Sequence, residues 1–86
     1  MMTGEMPGDT NHRGMLTGEQ LILVVSSNVK RLRLETGLSA REIAERGGIS
    51  LRSMQRIEED GSNVTLEMLA ALCLGLGVDV EELVRE

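Results

Sequence analysis

A pair of glycines inside a run of helix-forming residues limits what this chain can become. Gly47-Gly48 divides the stretch from Ser39 to Glu58 into two short segments. Ser39 followed three residues later by Glu42 is a capping box: the hydroxyl accepts from an orphan N–H while the carboxylate reaches back to the cap. Ile43 and Ala44 give the first segment a small apolar patch. The glycines supply the left-handed conformation that ends a helix and redirects the chain. Ser50 then suits the N-cap of a second helix that buries Met54 and Ile57. Burying that face turns Leu51, Arg52, Ser53, Gln55 and Arg56 outward.

The flanking segments carry helix signals of their own. Thr17 with Gln20 reads as another capping box, opening a helix to about Thr36, where Gly37 takes the usual C-terminal glycine position. Leu21, Val25, Val29 and Leu32 recur at spacings of four, four and three, which is one helical face. The run Leu21–Val25 is more apolar than one face needs. Either the helix start is buried on two sides, or this run is a contact between two copies, helical or as an extended strand. Beyond the central unit, Glu59-Asp60-Gly61-Ser62-Asn63 reads as a polar turn. Thr65 is placed to cap a fourth helix, with Glu67 favourable in its first turn and Leu66, Leu69, Leu72, Cys73 and Leu76 as its inward stripe. On that stripe Cys73 reads as a small hydrophobe rather than a reactive thiol. Gly77 stops the helix, and Asp79 with Glu82 reads as a capping pair for a short fifth helix carrying Val80, Leu83 and Val84. The fold class is therefore all-α, five helices with short connections, over residues 17–86. Residues 1–16 contain Gly4, Pro7, Gly8 and Gly14 without periodicity and are expected to form a disordered N-terminal arm.

Composition agrees with packed helices. The chain is 41% apolar but has no Phe, Tyr or Trp, so its core must be built from Leu, Ile, Val, Met and Ala, which does not suit a β-sandwich. Its 86 residues allow one small domain. No apolar run approaches the roughly 18 residues of a membrane span. The first residues lack a basic region followed by an apolar one, so no secretory signal is expected. A single cysteine makes no internal disulfide, and a cytoplasmic location is expected. His12 has no ligand pattern around it, so no metal is expected. With no clustered acid–base set, no phosphate-cradling glycine loop and no nucleophile–base pair, the sequence does not read as an enzyme, and neither a cofactor nor a small-molecule ligand is expected. No effector-binding segment is expected after Glu86.

The net charge of −5 argues at first sight against a polyanionic partner, but the acid is unevenly spread. Residues 24–64 carry seven basic and six acidic side chains, whereas residues 65–86 carry one arginine against five acids. The two-helix unit thus lies in the one part of the chain with a net positive charge. A helix–glycine turn–helix of this size is also the unit that reads the DNA major groove.

From about Val25 to Val84 the chain resembles the phage-repressor and Cro-like, or XRE-type, helix-turn-helix family. The resemblance rests on Val29-Lys-Arg-Leu-Arg33, Gly37-Leu38-Ser39, Ile43-Ala44, Gly48-Ile49-Ser50, Met54, Ile57-Glu58, Leu66, Leu69 and Leu76-Gly77-Val78, at matching offsets without a gap. It implies a compact, repressor-like helix-turn-helix domain. It implies, too, that Arg33 and Glu58 form a structural ion pair and that Leu51, Arg52 and Arg56 face base edges, with Gln55 as a second-line base reader or a phosphate contact. Chemistry agrees, since arginine bonds guanine O6 and N7 bidentately and a leucine meets a thymine methyl. Ser39, Arg41, Ser50, Ser53, Ser62 and Asn63 are the candidates for positioning contacts to phosphate. Three departures from the family pattern stand out. Ala40 stands where many relatives carry a bracing glutamine, Glu59-Asp60 replaces a basic or glycine pair, and Val64 replaces a frequent proline. The function so implied is a sequence-specific DNA-binding transcriptional regulator, a repressor, acting as a homodimer on a palindromic double-stranded operator. The alternative is the same module turned to protein binding, motivated by the net acidity, by Glu59-Asp60 and by the apolar Leu21–Val25 run.

Overall fold

The computed structural model describes residues 16–62 and 64–86; the expected arm, apart from Leu16, and Asn63 lie outside the described residues. Five helices follow in order: α1 (Gly18–Thr36), α2 (Ala40–Gly47), α3 (Leu51–Asp60), α4 (Leu66–Leu76) and α5 (Val80–Val84). Among the described residues there is no strand.

Side chains just outside each helix set where four of the five begin. The Thr17 hydroxyl accepts the Gln20 N–H and the Gln20 side chain accepts the Thr17 N–H, a complete capping box. Ser39 and Glu42 repeat the arrangement on α2. The Ser50 hydroxyl accepts from Ser53 N–H and the Thr65 hydroxyl from Met68 N–H. Each cap satisfies a donor that has no partner inside the helix. α5 differs from expectation. Asp79 makes no side-chain cap bond; its backbone carbonyl instead accepts the Glu82 N–H at 3.0 Å. That bond already takes the N3 N–H that an Asp79 side-chain cap would need.

The core is aliphatic throughout: Val25, Val29, Leu32, Ile43, Ala44, Met54, Ile57, Leu72, Leu76 and Leu83. α2 lies directly on α4, and the approach is close because two glycines face backbone there. A Cβ on Gly75 would sit 2.5 Å from the Ile43 carbonyl oxygen, and one on Gly47 would collide with the carbonyl of Ala71. α1 packs against both α3 and α5. Two buried polar side chains serve those crossings. Ser26 donates to the Glu58 carbonyl at 3.1 Å, and Asn28 Nδ2 donates to the Leu83 and Arg85 carbonyls at 2.9 and 2.8 Å.

Three expectations are corrected by this packing. Leu66 does not join the inward stripe of α4; it is 83% exposed. The first turn of α4 packs through Met68 and Leu69, which lie against the core, and Leu66 points away from it. Glu59 and Asp60 belong to the last turn of α3, and the chain turns only at Gly61, whose φ is +75°. Burial of the α1 start on two sides also fails. Val25 is buried, but Leu21, Ile22 and Leu23 are exposed, Leu23 to 60%, because the first turns of α1 run past the core.

Candidate nucleic-acid interface

α2, the turn at Gly48 and α3 form the helix-turn-helix. Gly48 takes φ +78°, and its N–H is bonded to the Ala44 and Glu45 carbonyls, so the last carbonyls of α2 are closed by the turn itself. Ile49 N–H bonds to the Ala44 carbonyl as well, at 3.0 Å. α3 is anchored by Met54 and Ile57, both fully buried. That anchoring fixes the rotation of the helix and presents Arg52, Gln55 and Arg56 to solvent at positions i, i+3 and i+4. Leu51 and Ser53 are half-buried rather than fully outward, so they sit at the margin of this face. Glu59, at i+7, shares the face with the two arginines, which a turn assignment at Glu59-Asp60 would hide.

Among the described residues Arg52 and Arg56 form no salt bridge, whereas Arg31, Arg33 and Arg85 are paired to Glu35, Glu58 and Glu82. Arg33 Nε and Nη2 donate to the two Glu58 carboxylate oxygens at 2.5 and 3.0 Å. These bonds raise the Arg33 pKa further above the ordinary arginine value, against a smaller opposing effect of burial. The fork ties the end of α3 to α1. Beside it, Lys30, Ala40, Gln55 and Glu59 line a shallow notch, to which Ala40 contributes only a methyl.

The hydroxyl candidates separate by where their protons go. Ser62 donates to the Asp60 carboxylate, which also accepts the Ser62 N–H at 2.8 Å, so both Ser62 donors are committed inside the loop. The same bonds pull the Asp60 carboxyl below the usual carboxylate range, with Arg56 adding to the effect. Ser50 Oγ and Ser53 Oγ are 3.0 Å apart, so one proton of the pair bridges them and the other is available. The Ser39 hydroxyl accepts the Glu42 N–H as a cap and lies against the Glu42 carboxylate, and Arg41 is exposed in the first turn of α2. Asn63 lies outside the described residues. Away from this face Cys73 is half-buried, and burial, with Asp79 adding, pushes its thiol up. Ser26 and Asn28 are buried hydrogen-bonding side chains that the sequence pattern conceals. Their only signal there is a polar residue between Val25 and Val29 on a helix read by its apolar positions.

Residues 29–83 match the sequence profile of the helix-turn-helix family, and the chain belongs to that family, in its XRE type of DNA-binding transcriptional regulators. Its relatives include the uncharacterized HTH-type transcriptional regulator y4dJ of Sinorhizobium fredii, 39% identical over 71% of this chain and 79% of that protein. Among solved structures, a point mutant of the restriction-modification controller protein C.Esp1396I superimposes with a TM-score of 0.65 at 29% identity, covering 69% of this chain and 75% of that one. The hypothetical transcription factor NHTF from Neisseria gives a TM-score of 0.69 at 25% identity over 93% of this chain and 86% of that one.

Proposed function

We propose that this chain is a sequence-specific, cytoplasmic DNA-binding repressor that reads the major groove with α3 as a homodimer. The observation that carries the reading is the exposed set Arg52, Gln55 and Arg56 on a helix whose opposite face is locked into the core. Neither Arg52 nor Arg56 forms a salt bridge among the described residues, so their donors are open to guanine edges. Ser39, Arg41, Ser50, Ser53 and Asn63 act as positioning contacts to phosphate, and Leu51 meets a thymine methyl from the margin of the face. Arg33 and Glu58 serve as structure and not as readers. Two copies would place their α3 helices in successive major grooves, roughly 34 Å apart, on a near-palindromic operator. The exposed Leu21–Leu23 run of α1 and the exposed Val80 of α5 are among the apolar positions open to a dimer contact.

A fluorescence-polarisation titration against duplexes selected from a randomised pool tests this reading. Wild-type protein should bind selected over scrambled duplex, and binding should weaken as salt rises. Arg52→Ala should relax preference at one base position, costing about 1–3 kcal/mol there. A uniform loss on every sequence would make Arg52 a phosphate contact instead. The second reading, a module turned to protein binding, is favoured by the same exposed Leu21–Leu23 run and by the acids Glu59 and Asp60 beside the arginine face. Absence of DNA binding even at low ionic strength would select it.

A further inference from the structure

We propose that Ser26 is a positioning residue that sets the tilt of α3, and so the aim of its arginine face; the DNA consequence rests on the function proposed above. Helix ends leave their last carbonyls without partners inside the helix. At the end of α3 the Gly61 N–H serves the carbonyls of Arg56 and Ile57, at 3.2 and 3.0 Å. The Glu58 carbonyl is taken by the buried Ser26 hydroxyl, which reaches it from another helix. Glu58 is therefore held twice by α1, its backbone by Ser26 and its carboxylate by the Arg33 fork.

A third contact completes the attachment. Gly61 abuts Ile22, where a Cβ would lie 2.9 Å from the Ile22 carbonyl oxygen. Ile22, Ser26, Val29 and Arg33 follow at offsets of four, three and four, which is one face of α1. Three points along one rigid face define an angle, where the Arg33–Glu58 fork alone defines only a pivot. Asn28 makes comparable buried bonds to the end of α5 from the neighbouring face, and none to α3. It is thus a matched control for lost stability.

The test compares wild type, Ser26→Ala, Ser26→Cys and Asn28→Ala by residual dipolar couplings and by affinity for selected and scrambled duplexes. Ser26→Ala should change the orientation of α3 relative to α2 and α4. It should also lower the selected-to-scrambled affinity ratio about fivefold, the factor one hydrogen bond is worth, with binding to scrambled duplex unchanged. Asn28→Ala should lower thermal stability and leave both the α3 couplings and that ratio at wild-type values. Should the alanine chain not fold, Ser26→Cys, nearly the same size with a weak donor, gives the same readout. Wild-type α3 orientation or a wild-type ratio in the Ser26 variants overturns the proposal. If wild type itself selects no duplex, the DNA reading fails, and the α3 couplings alone then decide the role of Ser26.

Discussion

Glu58 spends all three of its acceptor oxygens inside the domain, two on Arg33 and one on Ser26. The pair is not fully enclosed, with side chains 22% and 13% exposed, so solvent moderates both its gain and the cost of breaking it. Glu58→Ala should therefore cost about 2 kcal/mol, in the range for hydrogen bonds to charged groups, and less than the loss of a fully buried partner. Urea unfolding checks the value. The double variant Arg33→Ala/Glu58→Ala should lose less than the two single losses added together, because contacting residues couple. At the surface, Ser62→Ala should leave DNA affinity within about twofold, since its donors already belong to Asp60 and each phosphate contact needs a free one. Equilibrium titration on a fixed duplex measures this, and a large loss would mean that the Asp60–Ser62 bonds open on binding.

Among the helices themselves, the capping boxes make the starts sensitive to acid. Glu42 accepts the Ser39 N–H, and this backbone bond, with a smaller share from the Ser39 hydroxyl and Arg46, holds its carboxyl below the ordinary value. A carboxylate with a depressed folded-state pKa adds stability above the unfolded-state value, near about 4.3, and loses it as pH falls through the folded-state value. Unfolding free energy should fall through that window, and Glu42→Gln, which keeps the acceptor but not the charge, should shallow the fall. Unfolding curves at pH 7 and pH 3 give the comparison. The end of α3 is more demanding. Gly61→Ala combines a φ of +75° with a collision at Ile22, so it should destabilise by more than the roughly 1 kcal/mol of a left-handed residue in open space. Helix boundaries were legible because caps and glycines act locally: Thr17, Ser39, Ser50, Thr65, Gly48 and Gly77 each mark an observed end. Asp79 misled because its five-residue helix is held by docking Leu83 and by Asn28 from α1, not by its own cap.

For the molecule as a whole, a small aliphatic core without aromatic rings leaves little reserve. Leu72 is fully buried in that core, and Leu72→Ala should cost about 2–5 kcal/mol, enough to unfold much of the protein at ambient temperature. Circular dichroism melts measure the loss. The charge layout bears on binding as well. Glu59 shares the arginine face, at its C-terminal end, while base reading in this architecture uses the first turns of the recognition helix. Exchanging Glu59 for glutamine should therefore strengthen binding to selected and scrambled duplexes alike and leave their ratio unchanged, as titrations at two salt concentrations would reveal.

Features set within a few residues could be had from the chain alone: the five helices, most of their caps, the glycine turn between α2 and α3, and burial of Met54 and Ile57. These rest on backbone hydrogen bonding and on helical period, both local. Where a helix finds a neighbour emerged only with the packing. Leu66 fits the periodic stripe yet projects into solvent, while Met68 and Leu69 of the same turn pack against the core. Leu21–Leu23 look like core and stand outside it. Ser26 and Asn28 look like surface, yet they are buried because each meets a helix end that comes from more than thirty residues away. Periodicity shows which residues share a face, but the free energy of that face depends on what packs against it.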